Sequence, residues 1–266
     1  IISALFNEGL KKEEVKEIMP KIQKEIEEIE KLSLQEQEKE YPKFEEVVSE
    51  REIREGLPEL PDVKKSKVIM RFRPAPSGPL HIGHIISNLL SSLYVKKYGG
   101  KFYIIVDDTD PSTVLKDAYK NIKEDCDWIF GNVYKYINSS DRMNIYYKYA
   151  EDLIKREKAY VCTCTQEAFK HHSESKKECP CRKSSPKENQ LRWEKMLDKK
   201  GFTEGEAVLR FKSSMDHKNP AMRDFPLARI NLSEHPIQKK KYRVWPLMNL
   251  VVSVDDIELG MTHVIR

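Results

Sequence analysis

No stretch of this 266-residue sequence is apolar over the roughly 20 residues that a membrane-spanning helix needs. The apolar run Ile1–Phe6 is too short for a secretory signal, and charged residues soon follow it. Cysteine is scarce, and without a secretory signal the five cysteines indicate buried thiols or a metal site rather than disulfides. We therefore expect a soluble, cytoplasmic protein with no membrane partner.

The charge balance is only weakly informative, because a net charge of +4 is a slight indication of a polyanionic partner. The region before residue 66 has a composition of its own. Lys11–Glu38 is dense in Lys and Glu with apolar residues at helical intervals, which predicts an amphipathic helix that Pro20 either kinks or divides. This extension is either a solvated appendage or a docking module for a partner protein or a nucleic acid.

A strand, a Pro/Gly turn and a helix follow one another from residue 67 to residue 99. Lys67–Phe72 is β-rich, and apolar residues then recur at helical spacing from Ile82 until Gly99-Gly100. His81, Gly83 and His84 fall in the first helical turn, where unpaired N–H groups and the helix dipole favour a phosphate. Gly83 leaves room for a base or ribose. The plainer alternative is a turn with two incidental surface histidines.

An apolar run, Lys101–Val106, predicts a buried parallel strand that ends in the acidic residues Asp107–Asp110. Carboxylates at this end of a parallel strand face the crevice where such sheets bind ligands, so we expect Asp107 to bind one. A helix around Cys126, a second from Asp141 and a strand at Ala159–Cys162 complete the pattern. It predicts an α/β fold with a doubly wound, Rossmann-like parallel sheet.

Two closely spaced cysteine pairs, Cys162/Cys164 and Cys179/Cys181, supply a complete tetrahedral ligand set for a structural Zn²⁺. Four unliganded thiols are the alternative, and His171 or His172 is a substitute for one thiol. The basic segment 173–200, which includes Arg192-Trp193, is either a phosphate-contacting surface or a solvated loop.

Taken together, these motifs resemble the glutamyl/glutaminyl branch of the class I aminoacyl-tRNA synthetases. Arg71–His84 is similar to the first signature of that branch, and Asp107–Asp110 to its acidic motif. Ala159–Cys162 and Asn219–Asp224 also have counterparts, the latter in archaeal and eukaryotic members, where Arg223 and Asp224 are either an ion pair or backbone supports. The resemblance covers residues 67–266.

The resemblance implies an archaeal-type glutamate–tRNA ligase that uses ATP and Mg²⁺, with tRNA for glutamate as its acceptor and tRNA for glutamine as an open second acceptor. It implies four groups of site residues: His81 and His84 for catalysis; Pro76, Gly83, His81 and His84 for ATP; Arg71, Arg73, Asp107, Asn249 and Arg266 for the amino acid; and Cys162, Cys164, Cys179 and Cys181 for zinc. The implied domains are a helical extension (1–65), the first half of the catalytic domain (66–160), an inserted zinc-containing domain for the acceptor end (161–241) and the start of the second half (242–266).

Some features depart from the family or leave alternatives open. Pro246-Leu247-Met248 stands where many members have Pro-Thr-Tyr, so the contact of that Tyr with the amino acid is expected to differ. Leu250–Val254 reads as a strand or a buried helix. The second signature loop, similar to Lys-Met-Ser-Lys-Ser, and an anticodon-binding domain do not occur. We therefore expect a fragment of a longer synthetase, inactive by itself.

Arg266 separates the two branches, because the glutamyl branch ends this segment with an arginine and the glutaminyl branch typically with a cysteine. A guanidinium group at this place would select a carboxylate side chain. Three alternatives remain: a glutaminyl-tRNA synthetase, a nucleotidyltransferase of the same superfamily, and a binding module without catalytic activity.

Overall fold

A computed structural model describes residues 2–7, 9–44, 56–63 and 67–265. The chain divides into two compact units, Ile1–Pro58 and Glu59–Arg266. Among the described helices, none is both long and apolar enough to cross a membrane.

The first unit is helical, as the sequence predicts. Its helices are α1 (Ile2–Asn7), α2 (Val15–Glu30) and α3 (Leu34–Glu40). Pro20 lies inside α2, so it does not begin a second helix. The break comes later, where Ser33 begins α3 with a capping box: its hydroxyl accepts from the Glu36 N–H, and its own N–H donates to the Glu36 carboxylate. No residue of α2 or α3 is buried, which fits their highly charged composition.

The second unit begins with a parallel sheet of three described strands. They are β1 (Val68–Phe72), β2 (Gly100–Val106) and β3 (Val133–Asn138), in the order β1-β2-β3. The central strand is buried from Phe102 to Val106, as expected for a strand whose faces are both covered. Its first residue must be glycine, because a Cβ atom on Gly100 would lie 1.9 Å from the Val68 carbonyl oxygen.

The third parallel strand is not where the sequence pattern predicted it. β3 was missed because it is an edge strand with polar residues such as Lys135, and it carries no apolar run. The segment Ala159–Cys162 is a strand, β4, but it belongs to a second, antiparallel sheet. The prediction that Ala159–Cys162 continues the parallel sheet is therefore wrong.

Two helices connect the parallel strands, α4 (Ile82–Tyr98) and α5 (Ala118–Phe130), and a third, α6 (Met143–Lys155), leads from β3 to β4 and packs against the second sheet. The predicted helix after the signature turn is confirmed as α4, although Ile82 and Ile86 on it are more than half exposed. Cys126 on α5 is fully buried, as its place on the apolar face predicted.

The second sheet holds the cysteine-bearing part of the chain. Its strands run β4, β5 (Val208–Phe211), β6 (Pro226–Ile230) and β7 (Val244–Pro246), all antiparallel. Helices α7 (Gln166–Glu174) and α8 (Pro186–Leu197) lie between β4 and β5, and α9 (Met248–Glu258) follows β7. Leu250–Val254 is thus helical. Trp193 is fully buried in the core with Trp245, so it is a packing residue and not part of a phosphate-contacting surface.

Candidate active site and cysteine cluster

The signature motif places two imidazole rings at the first turn of α4. His81 is the N-cap residue, with extended backbone, and its Nδ1 accepts from the Gly83 N–H at 3.2 Å. The His81 N–H in turn donates to Nδ1 of His84 at 3.4 Å, and the two ring centroids are 3.8 Å apart. Because both Nδ1 atoms accept, each ring carries its proton on Nε2. The motif therefore presents two N–H donors side by side at a helix N-terminus.

The electrostatics of this turn favour an uncharged ring at His84. Burial, and then the neighbouring His81, lower the pKa of His84. Gly83 in the motif lies close to the His81 ring. A Cβ atom at this position would be only 3.1 Å from Cε1 of His81, so a residue without a side chain fits best. Glycine at this position lets the His81 ring lie against the helix end, where the Gly83 N–H donates to it.

The turn before α4 is tied to the loop that follows β2. The Asp107 N–H donates to the Pro74 carbonyl at 2.8 Å, and the Leu115 N–H donates to the Pro76 carbonyl at 2.8 Å. Both prolines are buried. The histidines and Asp107, which the sequence singled out separately, are thus brought to the same edge of the parallel sheet.

Arg73, which the sequence assigned to amino-acid binding, is only 6% exposed and is surrounded by partners. Its Nε donates to Asp107 at 3.1 Å, and its two terminal nitrogens donate to Asp255 and Ser139, each at 2.7 Å. Burial alone would lower the pKa of Arg73, but the two carboxylates outweigh it and raise that pKa. Arg73 therefore orients Asp107, and each of its three nitrogens donates to a protein oxygen.

Asp255 is the centre of this network, and sequence reasoning gave it no role. It lies on α9, is fully buried, and accepts from Arg73, from Nε of Arg142 at 2.8 Å and from the hydroxyl of Tyr146 at 2.9 Å. Its neighbour Asp256 forms a two-pronged ion pair with Arg71. The adjacent acids after the apolar run 250–254 were the only signal, and no partner could be assigned to them from sequence.

A second buried carboxylate, Asp108, links the end of β2 to the segment that follows β3. It accepts from the N–H and the hydroxyl of Ser140, both at 2.7 Å, and burial raises the pKa of Asp108. His235 donates from Nε2 to the Asp108 carbonyl at 3.0 Å, while its Nδ1 accepts from the N–H groups of Ile237 and Gln238. His235 was missed because nothing in its local sequence indicates this contact.

Two other predicted amino-acid ligands, Asn249 and Arg266, belong to the last part of the chain. Asn249 is exposed in the first turn of α9, next to Met248, which is 66% exposed. Arg266 lies outside the described residues. The chain just before it runs along β1, because Thr262 and Ile69 exchange hydrogen bonds of 2.9 Å. Residues 262–265 are therefore beside the strand that leads into the signature turn.

The four predicted zinc ligands converge at the end of β4. The Sγ atoms of Cys162, Cys164, Cys179 and Cys181 all lie within 4.8 Å of one another. Two of the Sγ–Sγ distances, Cys162 to Cys179 and Cys164 to Cys181, are 3.8 Å. His171 and His172 are not in this group, so neither replaces a thiol. All five cysteines of the chain are free thiols.

The cysteines are supported by a buried acid, Asp224, for which the sequence left two roles open. Asp224 accepts from the Tyr160 hydroxyl at 2.8 Å and from Arg182, and the Tyr160 oxygen is 3.4 Å from Sγ of Cys179. The suggested Arg223–Asp224 ion pair does not form. Arg223, also buried, instead donates to backbone carbonyls, including that of Ser173 at 2.7 Å near the C-terminal end of α7.

Comparison with known proteins agrees with this geometry. Residues 67–266 match the family model described as tRNA synthetases class I (E and Q), catalytic domain. The chain is 47% identical over 251 residues to the glutamate–tRNA ligase of Methanocaldococcus jannaschii, a match that covers 94% of this chain and 45% of that protein. It is 42% identical over 266 residues to the same-named protein of Methanothermobacter marburgensis, covering 99% and 48%.

Solved structures are similar in fold. A glutamate tRNA ligase from Elizabethkingia meningosepticum, crystallised in complex with its amino acid, has a TM-score of 0.56 at 23% identity. The similarity covers 74% of this chain and 43% of that one. The chain thus spans about half the length of the proteins that it matches.

Proposed function

This chain belongs to the class I tRNA synthetases of the E and Q type, and we propose that it forms the catalytic half of a glutamate–tRNA ligase. The identity of 42% and 47% to proteins of that name supports the proposal. Because the chain covers less than half of those proteins, the activity of the whole enzyme is inferred from its parts. The observation that carries the inference is the pair of Nε2–H donors that His81 and His84 present at the start of α4.

We infer a reaction in two steps, of which the first takes place at these two histidines. ATP lies over Gly83 and beside Pro76, with its phosphates near His81 and His84, and the α-carboxylate of glutamate attacks the α-phosphorus. The bond from the α-phosphorus to the bridging oxygen breaks, which releases pyrophosphate and leaves glutamyl-adenylate. The two N–H donors stabilise the charge that develops on the transferring phosphoryl group. Mg²⁺, when bound to the phosphates, neutralises part of their charge.

The second step transfers the glutamyl group to tRNA. A ribose hydroxyl of the terminal adenosine attacks the acyl carbon of the adenylate, and AMP leaves as the hydroxyl loses its proton. Positioning of the two substrates and charge stabilisation supply the rate, so no covalent protein intermediate is needed. Asparagine, arginine and carboxylate groups around the crevice hold the amino acid during both steps.

We assign the amino-acid contacts by how firmly each side chain is already held. Asp107 takes the amino group, because Arg73 and Thr109 fix its carboxylate at the crevice. Arg73 has three protein partners and is buried, so its role is to position Asp107. Arg71 is paired with Asp256, which is 25% exposed, and it contacts glutamate only if the substrate carboxylate joins or replaces that pair. Asn249 is exposed and free to approach the ligand.

We propose that the cysteine cluster holds a structural Zn²⁺. Tetrahedral sulfur ligands about 2.3 Å from the metal stand about 3.8 Å apart. The two Sγ–Sγ distances of 3.8 Å fit this spacing. Four thiol ligands leave no open position for water, so the metal would serve folding and not catalysis. Cys162, Cys164, Cys179 and Cys181 would then order the region that follows β4, where we expect the tRNA acceptor end to bind.

The partners follow from the same proposal. They are glutamate and tRNA for glutamate, with tRNA for glutamine as a second acceptor if the anticodon reader permits it. The helices α2 and α3 would dock a partner protein or the tRNA. We place the enzyme in the cytoplasm, where free thiols stay reduced and tRNA is charged.

The test is amino-acid-dependent ATP–pyrophosphate exchange by the full-length protein in the presence of tRNA. Glutamate should support exchange and glutamine should support little. Arg266→Gln should reduce glutamate use a hundredfold or more, in line with the roughly 2–5 kcal/mol lost when a buried charge is unpaired. Exchange with glutamine alone would contradict the proposal and favour a glutaminyl-tRNA synthetase. Exchange with neither amino acid would favour a different nucleotidyltransferase.

A further inference from the structure

A basic cavity of about 640 Å³ opens between α6, the end of α8 and the segment that leads into β7. None of its lining residues is among those at the start of α4, so it is separate from the candidate active site. Its volume lies within the roughly 300–1,000 Å³ typical of small-ligand sites. It is therefore large enough for one nucleotide.

The lining has charge of one sign. Lys199, Lys240, Lys241 and Arg243 line the cavity, and none of the described residues that line it is acidic. The three lysines are exposed at its rim. Like charges gathered around one cavity repel one another unless an anion lies between them. The charge distribution thus points to a ligand that carries phosphate.

Arg243 gives a second, independent indication of an anionic ligand in the cavity. One terminal nitrogen of Arg243 donates to the Phe202 carbonyl at 2.5 Å, which fixes the guanidinium group. Its Nη1 is buried and has no hydrogen-bond acceptor within the described part of the chain. A buried N–H without a partner is costly, and the cost disappears when a ligand oxygen accepts from it.

The wall of the cavity is aromatic. Tyr147 and Tyr242 line it with ring centroids 6.1 Å apart in an edge-on arrangement. The hydroxyl of Tyr147 donates to the Val244 carbonyl at 2.7 Å, and the Lys241 ammonium lies 5.0 Å from the Tyr242 ring. Rigid aromatic rings beside lysine side chains are the combination with which proteins bind an unpaired nucleotide.

We propose that this cavity binds a nucleotide, its phosphate among the lysines and Arg243 and its base against Tyr242. The nucleotide could come from an RNA strand or from solution, and the RNA source rests on the proposed function, since it would be a nucleotide of the bound tRNA. The shared chemistry is a phosphate joined to a planar base, and the experiment below separates the two sources.

The test compares two double charge reversals in the full-length protein. Lys240→Glu/Lys241→Glu changes the cavity, and Lys155→Glu/Lys158→Glu makes the same charge change at two exposed positions, the last residue of α6 and the residue before β4. The tRNA affinity of each is measured by filter binding over a range of salt, and AMP binding by calorimetry. The unfolding midpoint checks that both variants are folded, as their exposed positions predict.

If the nucleotide belongs to RNA, the cavity variant should bind tRNA at least tenfold more weakly than the control variant. The dependence of log K on log[salt] should also be shallower by about one to two units, because phosphate contacts are lost. If a free nucleotide is the occupant, the wild type and the control should bind one more AMP per chain than the cavity variant. Equal tRNA affinities together with equal AMP stoichiometry in both variants would overturn the proposal.

This result is independent of the glutamate reaction. Normal glutamate-dependent exchange, together with unchanged tRNA affinity and AMP stoichiometry in Lys240→Glu/Lys241→Glu, would remove the cavity proposal alone. Loss of tRNA affinity in a protein that fails to activate glutamate would support the cavity and contradict the proposed function.

Discussion

The two polar clusters of this chain are assembled over very different distances in sequence. At the edge of the parallel sheet, Arg71 pairs with Asp256, which is 185 positions away, and Arg73 pairs with Asp255 across 182 positions. At the end of β4, Cys162 and Cys179 are 17 positions apart. The first cluster exists only once α9 has packed against β1, whereas the second depends on one local segment.

The two clusters also differ in the partners of their side chains. The cysteines face one another, and their ligand set is complete within β4 and the segment that follows it. Arg71 and Arg73 are paired with Asp256 and Asp255, whereas the exposed His81 and the partly exposed His84 at the start of α4 remain accessible to a ligand. Long-range ion pairs thus hold α9 to the end of β1, and we expect the local motif to supply the chemistry.

The largest expected effect comes from removing the long-range hub. Asp255→Ala leaves Arg73 and Arg142 without their buried partner, and breaking a buried ion pair in this way costs about 3–5 kcal/mol. Denaturant unfolding should show this loss in the free energy of unfolding. The matched control is Asp152→Ala, because Asp152 pairs with Arg156 on the exposed face of α6.

For that control, an exposed pair four positions apart on a helix contributes only about 0.3–0.5 kcal/mol. A similar, small loss of unfolding free energy in both variants would mean that the buried ion pairs of Asp255 with Arg73 and Arg142 contribute little to stability. The contrast between the long-range cluster and the local one would then disappear.

Metal removal tests the local cluster and should have the next largest effect. One Zn²⁺ per chain should copurify, and at a hundred times its dissociation constant the metal stabilises the fold by about 2.7 kcal/mol. Cys164→Ser should lower both the zinc content and the unfolding midpoint. Cys126→Ala, which alters the buried thiol on α5, should leave the zinc content unchanged.

When a chelator removes the metal, we expect the properties of the chain to be lost in a definite order. Binding of tRNA and the folding of the segment after β4 should fail before ATP binding does. Protein purified without chelators and found free of zinc would contradict the metal assignment, as would ATP binding lost in step with tRNA binding.

A smaller effect concerns pH and the exposed histidines. Since burial and His81 lower the pKa of His84, its ring should titrate below the ordinary value of 6.5. The unfolded chain therefore takes up this proton at a higher pH, so the contribution to stability is present above pH 6.5 and is lost as the pH falls through the folded-state pKa. An NMR titration of the His84 ring that gave a midpoint above 6.5 would be inconsistent with this account.

Sequence reasoning was most successful where structure depends on neighbours in the chain. The helix that starts at His81, the buried strand before Asp107 and the cysteine cluster were all predicted from spacing, and the geometry confirms each. The strand β3 was missed because an edge strand needs no apolar run, and Ala159–Cys162 was given to the wrong sheet because strand patterns do not specify their partners.

The site was predicted less completely than the fold. Asp255, Asp256 and His235 could not be assigned because their partners are more than a hundred positions away. In the same way, sequence could not show that Arg73 is buried and hydrogen-bonded to Asp107, Asp255 and Ser139, so its assignment to amino-acid binding stays a prediction. A charged side chain can be identified from sequence, but whether it is free depends on packing.

The central claim is that His81 and His84 act on the transferring phosphoryl group, and single-turnover kinetics of the full-length enzyme tests it most directly. His84→Ala should slow adenylate formation about a hundredfold or more, as expected for losing a donor aimed at developing charge. The dissociation constant for ATP should change much less, and His171→Ala on α7 should change neither quantity. Equal losses in ATP affinity and in the rate of adenylate formation would contradict the account.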